Sequence, residues 1–420
     1  MAPDRRRSSP PATSSGTSRR ASAEAGPSSG RPSVNAPRPV IPDARYGERL
    51  ARTQALLHER GIAALLVGVG ADLRYLAGYV AMPLERLTML VLPAGSRPSL
   101  VAPRLEAMAA AATPLVRTGL VDLVAWDETD DAHAIVAGLL AAAPEPSNQR
   151  VLVSDRLWAM HVLGLERVLP GRGLGLASEI LGELRMVKDP DELALLRLAA
   201  HAADRVVAQI AAGRLIGRTE LDVSREVRER LVAEGHESAE FAIVASGPNS
   251  ASPHHDASDR VIGAGEPIVL DIGGALGGYC SDTTRTLWVT GSNPGAGPTP
   301  EFRALFDCLR EAQAEACTAV RPGVACDAID AVARGRITAD GHGPGFIHRT
   351  GHGIGLETHE DPYIVAGNGE PLRPGMTFSV EPGIYVAGHH GARIEDIVVC
   401  GRDGPDLLNE SSRDLWVVAG

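Results

Sequence analysis

The sequence predicts an α/β domain followed by an α+β domain, and three features carry that reading. From Tyr46 to about Leu184, short apolar runs alternate with helical stretches. Asp189-Pro190-Asp191-Glu192 then supplies a capping residue, a first-turn proline and an acid three positions after the cap, which together announce a long helix. In the last third, glycine-punctuated runs rich in β-branched residues replace the alternation, as a hairpin requires.

Taken in order, residues 1–44 are dominated by Ser, Pro, Ala, Gly and Arg, and the first aromatic residue is Tyr46. Such a segment cannot bury a core and is expected to be a disordered tail, dispensable or the product of a mis-set start. It lacks the apolar core of a secretory signal. Residues 45–184 form the expected first domain. A helix over 47–59 leads into a strand at 62–67 (IAALLV); further strands fall at 89–92, 99–101 and 151–153, with a helix over 132–142. Residues 185–420 form the second domain. Its long helix continues through 194–210, a second begins with its own cap over 219–233, and others near 301–319 and 326–334 are placed to cover a twisted sheet.

Composition narrows the function. A chain of 420 residues with 44% hydrophobic content supports two substantial cores. It holds no apolar run of about 20 residues, so no membrane span is expected. A net charge of −11 argues against nonspecific nucleic-acid binding. Cys280, Cys308, Cys317, Cys326 and Cys400 form no CxxC pair, and an odd number fits a reducing cytoplasm better than a disulfide framework. They are expected to be small buried hydrophobes or free thiols.

Five residues point to chemistry. Residues 267–273 (PIVLDIG) and 279–289 (YCSDTTRTLWV) read as hairpin strands around 274–278 (GALGG). A hairpin symmetric about that loop sets Asp271 opposite Asp282, with Cβ atoms about 5 Å apart on one face. Two carboxylates so placed repel, and a bound cation would remove the conflict. Downstream, Gly351, Gly353 and Gly355 alternate around His352, allowing close approach of backbone and ring. Glu381 ends a strand-like run (TFSVEP), and Glu395 heads another (RIEDIVV). Singly, each has an ordinary alternative as a solvated acid, a packing histidine or a salt-bridge partner; jointly they indicate a two-metal site. Neither a serine elbow nor a Ser or Cys matched to a base stands out, so water is the expected nucleophile.

The motifs DIGG, SDTTRT, HRTGHGIGLETHE, SVEPGIY and RIEDIVV resemble the successive signatures of the metallopeptidases that include methionine aminopeptidase, aminopeptidase P and prolidase. The resemblance covers roughly residues 185–415 and implies the pita-bread fold, so the expected architecture is an α/β N-terminal domain followed by an α+β pita-bread catalytic domain. It implies that Asp271 binds one metal, that Asp282 and Glu395 bridge both, and that His352 and Glu381 hold the second. Four carboxylates against two divalent ions make the cluster neutral, leaving a hydroxide between the metals available to react. Ions about 3.5 to 4 Å apart can bring a shared water towards neutral pKa and polarise the scissile carbonyl. One imidazole among carboxylates is a hard site that favours manganese, with cobalt, iron and zinc also admissible.

The same resemblance gives His359 a hydrogen-bonding role toward the substrate carbonyl and the tetrahedral intermediate. It gives His254 a substrate contact, with adjacent His255 as its rival, and His348 a place in the pocket. Glu381 doubles as general base, and Arg393 orients the neighbouring carboxylates. Residues 74–78 (RYLAG) resemble the Tyr-Leu-x-Gly signature of the creatinase, prolidase and aminopeptidase P N-terminal domain. That domain implies a homodimer acting on peptides with proline second, as an Xaa-Pro dipeptidase or aminopeptidase. Two other readings stay open: a hydrolase of a small nonpeptide amide, like ectoine hydrolase or creatinase, and a noncatalytic binding module. Creatinase-type members dispense with the metals, and binding modules typically lose ligands; this chain keeps all five positions.

Overall fold

Leu- and Val-rich runs of the first half assemble a six-stranded sheet in the computed structural model, which describes residues 38–142 and 149–420. The expected disordered tail falls, over residues 1–37, outside the described residues; Asp43 and Ala44, assigned to that tail, instead open the helix Asp43–Glu59. The strands run in the order Asp122–Trp126, Ser99–Pro103, Met89–Pro93, Ala64–Gly68, Val151–Val153, Leu174–Leu176. Ala64–Gly68 pairs antiparallel with Met89–Pro93 and parallel with Val151–Val153. Buried Leu65, Val67, Leu90, Leu92 and Leu100 face one side, and Leu66, Met89, Val91 and Val101 the other, so near-continuous apolar strands cover a core on each face.

The expected long helix is Pro190–Ala211, opened by a capping box in which Asp189 accepts from the backbone of Asp191 and Glu192 while the Glu192 carboxylate accepts from Asp189 N. With Glu220–Ala233 it packs on a four-stranded sheet ordered Trp416–Val418, Tyr279–Val289, Glu266–Leu276, Ser238–Ser246. Val206, Val223, Val227, Ile268, Leu270 and Ile272 form that helix-facing core. Because side chains alternate along a strand, Asp271 turns to the opposite face.

A five-stranded sheet stands in the second half of this domain, ordered Glu360–Ile364, Gly351–Gly353, Thr377–Val380, Asp396–Cys400, Pro405–Leu407. The helices Pro300–Ala319 and Cys326–Ala339 cover it through Phe302, Phe306, Leu309, Ile329, Phe378 and Val398. All five cysteines are buried and unpaired. Among the described residues no helix is long and apolar enough to cross a membrane.

Candidate metal centre and catalytic cavity

The hairpin that carries the first two acids is longer than its glycine content suggested. Leu276 pairs with Tyr279 around a two-residue turn at Gly277 and Gly278, both with positive φ (61° and 85°), the backbone that a tight hairpin turn of this kind needs. Gly274 stays in the strand Glu266–Leu276. The register is therefore shifted by two from the expected Asp271–Asp282 pairing: Asp271 lies opposite Thr284, and Asp282 opposite Gly273. An even shift preserves the face, so both carboxylates still project to the same side, now as diagonal neighbours.

The facing acids come from an excursion in the chain. Thr377–Val380 pairs antiparallel with Asp396–Cys400, Val380 opposite Asp396. Glu381 and Glu395 follow and precede that last pair, and the hairpin of Gly383–Val386 and His390–Arg393 leaves and returns between them. His352 stands on the short strand Gly351–Gly353, where a side chain at Gly351 would collide with the Ser379 carbonyl and one at Gly353 with the Asp361 backbone. The flanking glycines thus let neighbouring strands close on His352.

These groups converge on a cavity of about 570 Å³ lined by Asp271, Asp282, His352, Glu381, Glu395, Arg393, His254, His348 and His359. The five candidate metal ligands, Arg393, His254, His348 and His359 thus reach one cavity. Single donor atoms of Asp282, His352 and Glu395 lie within 4.8 Å of one another. His352 Nδ1 lies 3.1 Å from the Gly353 carbonyl, and Nε2 faces Glu381 Oε1 at 3.1 Å and Asp282 Oδ2 at 3.6 Å. An imidazole nitrogen set between two carboxylates is a donor set that suits a cation.

Buried carboxylate oxygens give the same result. Asp271 Oδ1 and Glu395 Oε1 accept no hydrogen bond from the described residues. Burial, reinforced by neighbouring acids, pushes the carboxyls of Asp282 and Glu395 well above their ordinary values. Burial also raises Asp271, against the pull of the Arg393 guanidinium. Glu381 differs: burial opposes its ionisation, but the His352 hydrogen bond and charge outweigh it and hold the carboxyl at about 2. Of the four acids only Asp271 has an arginine partner among the described residues, and this carboxylate-rich donor set fits divalent cations.

Partners absent from the sequence argument hold these groups in place. Arg393 donates to Asp271 Oδ2 at 2.5 Å, to the Tyr385 hydroxyl at 2.7 Å and to Thr284 Oγ1 at 3.2 Å. Thr284 Oγ1 donates to Glu395 Oε2 at 2.8 Å, and Ser379 Oγ to Glu381 Oε1 at 3.0 Å. Two-residue alternation from Asp282 along SDTTRT could have flagged Thr284; Tyr385 gave no such signal. His348 lies 3.0 Å from the Tyr385 hydroxyl and 2.7 Å from the Arg349 carbonyl. His359 packs edge-on to His352, ring centroids 4.1 Å apart, and burial, aided by His352, lowers its pKa to about 4. His255 binds Glu220 at 2.8 Å, whereas His254 lines the cavity.

Two helix-backed sheets enclosing a carboxylate-rich cavity behind an α/β domain define a metallopeptidase. The chain belongs to metallopeptidase family M24, whose sequence model matches residues 194–402, and the Creatinase/Prolidase N-terminal domain matches residues 49–187. It is similar to the protein named "Probable dipeptidase PepE" of Mycobacterium tuberculosis, at 44% identity over 89% of this chain and 96% of that one. An Xaa-Pro dipeptidase of Lactobacillus delbrueckii subsp. lactis is 32% identical over 88% of this chain and 98% of its own length. The crystal structure of dipeptidase PepE from Mycobacterium ulcerans superposes with a TM-score of 0.84 at 44% identity, covering 90% of this chain and 99% of that chain. The chain is accordingly a peptidase with a pita-bread catalytic domain.

Proposed function

We propose that this peptidase is a metal-dependent Xaa-Pro dipeptidase that hydrolyses the bond before proline, with two divalent ions, manganese preferred, held by Asp271, Asp282, His352, Glu381 and Glu395. The observation that carries it is the buried cluster of four carboxylates and one imidazole, with unsatisfied oxygens on Asp271 and Glu395, at the wall of a substrate-sized cavity. When bound, such a metal pair supplies an acidified water and a Lewis acid for the scissile carbonyl. Asp282 and Glu395 would serve both ions, Asp271 one, and His352 and Glu381 the other.

The chain's own groups do the rest. Glu381, engaged at Oε1 by Ser379, keeps its other oxygen for the water proton. His359, uncharged above about pH 4, hydrogen-bonds the carbonyl oxygen as charge develops there. His254 contacts the substrate from its loop, and His348, held by Tyr385, completes the pocket. Arg393 fixes Asp271. Phe241, Ile243 and Pro253 offer an apolar wall suited to a proline ring. The names of the relatives favour a dipeptide over a longer peptide.

A functional division at residues 45–184 and 185–420 and a homodimer belong to the same proposal. Val80, Met82, Trp158, Met160 and Leu163 stand 45% to 70% exposed on the first domain, apolar surface that a second copy would cover.

The test is hydrolysis of Ala-Pro and Ala-Pro-Ala-Ala by manganese-loaded protein, with Glu381→Ala as the blank. Cleavage of Ala-Pro alone is expected. Cleavage of the longer peptide makes the enzyme an aminopeptidase, and cleavage of neither while two metals are bound gives the lead to a small-amide hydrolase.

A further inference from the structure

Glu220 is the first residue of the helix Glu220–Ala233 and is fully buried, yet it carries no part of the cavity described above. Its carboxylate gathers one loop. Oε1 accepts from Ser246 N and Ser246 Oγ, both at 2.7 Å, and from Asn249 Nδ2 at 3.1 Å. Oε2 accepts from Asn249 Nδ2 at 3.1 Å, Ser258 N at 3.1 Å and Ser258 Oγ at 2.7 Å, and stands 2.8 Å from His255 Nε2. One carboxylate thus ties the start, middle and end of residues 246–258. The opposite side of the loop is fixed by Gly391 N, which donates to Ser250 Oγ at 2.8 Å from the strand His390–Arg393.

We propose that Glu220 is a positioning residue: by capturing the His255 ring and the loop's serines and asparagine, it selects His254, of the two adjacent histidines, as the one that faces substrate. The inference rests on the catalytic reading of the cavity. Two neighbouring imidazoles are chemically equivalent, so only their surroundings choose between them. His255 is engaged at a buried acid, and His254 stands at the cavity wall. The carboxylate is present as the anion that these donors require. Burial opposes its ionisation, but the hydrogen bonds from Ser258, Ser246 and His255 outweigh burial and hold it at about 2. A loop held this way loses little entropy when substrate arrives.

The experiment compares Glu220→Gln, His254→Ala and the double variant. Gln keeps the side-chain size but turns an amide N–H₂ toward groups that are themselves donors. Glu220→Gln is expected to lower kcat/KM for Ala-Pro between about 10-fold and 100-fold, the cost of misplacing a contact group by roughly 1 Å, with metal content unchanged. The double variant should be no worse than His254→Ala alone, because both changes remove one function. Losses that multiply in the double variant would overturn the proposal, since a general structural defect adds to the loss of His254. His255→Gln is the second probe should Glu220→Gln fail to fold, with the same non-additivity expected and the same multiplication overturning it. A crystal structure of either variant decides independently of turnover: His254 withdrawn from the cavity supports the assignment, and His254 unmoved overturns it. If the parent protein leaves Ala-Pro intact, the substrate reading fails, while the position of His254 in the variant crystal still supports or overturns the role of Glu220.

Discussion

Two buried clusters of charge in this molecule are built from the same residue types and balanced in opposite ways. Beside the interdomain cavity, Arg185 pairs with Asp72 at 2.8 Å, with Glu357 at 2.7 Å and with Glu360, while Lys188 meets Glu360 at 2.6 Å and Arg156 meets Glu357 at 2.7 Å. Arg185 and Lys188 meet these acids in the interior, and the exposed Arg156 meets Glu357 at the rim. Burial opposes ionisation of Glu360, yet Lys188 and Arg185 hold it below its ordinary value, while burial raises Asp72 and Asp361. In the candidate catalytic cavity, Arg393 pairs with Asp271, while Arg349, which also lines it, makes no ion pair with Asp271, Asp282, Glu381 or Glu395 among the described residues, and Asp282 and Glu395 are pushed well above the ordinary carboxylate range. The first cluster closes on itself and joins two domains. The second has fewer internal partners, and that difference separates the proposed metal site from a structural ion-pair network.

Removing a shared acid tests this contrast most directly. Asp282→Ala and Glu395→Ala should each reduce turnover on the order of 1,000-fold or more, the rate equivalent of the several kcal/mol a Lewis acid provides, and should lower bound metal measured by elemental analysis. Full activity in either variant would refute its assignment to both ions. At the other cluster, Lys188→Met should cost about 3–5 kcal/mol in denaturant unfolding by leaving Glu360 short of a partner, while metal content stays at the parental level. Loss of metal in that variant would erase the distinction between the two clusters. The smallest effect expected is on pH. Asp282 and Glu395 have folded values above their unfolded ones, so their contribution to the metal-stripped protein is fully present below the ordinary carboxylate range and is lost as pH rises above it. The apo protein should therefore melt lower at pH 8 than at pH 5, by an amount of about 1–3 kcal/mol, and added manganese should flatten that slope in a thermal-shift series. A metal-free protein equally stable at both values would mean the acids are already compensated.

Much of the architecture could be read from local chemistry. The capping box at Asp189 and Glu192, the N-cap at Thr219 and the apolar strands of the first domain depend on residues a few positions apart, and helices and strands form where those signals lie. The hairpin was legible in parity and wrong in register. GALGG offers several glycines as turn candidates, but only Gly277 and Gly278 take positive φ, whereas Gly274 is pinned in the sheet where an added side chain would strike the Ser238 carbonyl. That distinction depends on the strand next door, which composition does not reveal.

Sequence alone thus settles the element types, the shared face of Asp271 and Asp282, and the glycine-flanked setting of His352, because each follows from backbone periodicity and side-chain size over short separations. Packing decides the rest: which carboxylates face one another across two sheets, that Thr284 and Tyr385 brace them, that Glu220 takes His255 and leaves His254 to the cavity, and that Arg185 and Lys188 pair with one acidic cluster while Arg393 pairs with Asp271 in the other. Charge balance in a buried site is a sum over groups far apart in the chain, and it acquires a value only when packing sets their distances and removes the water between them.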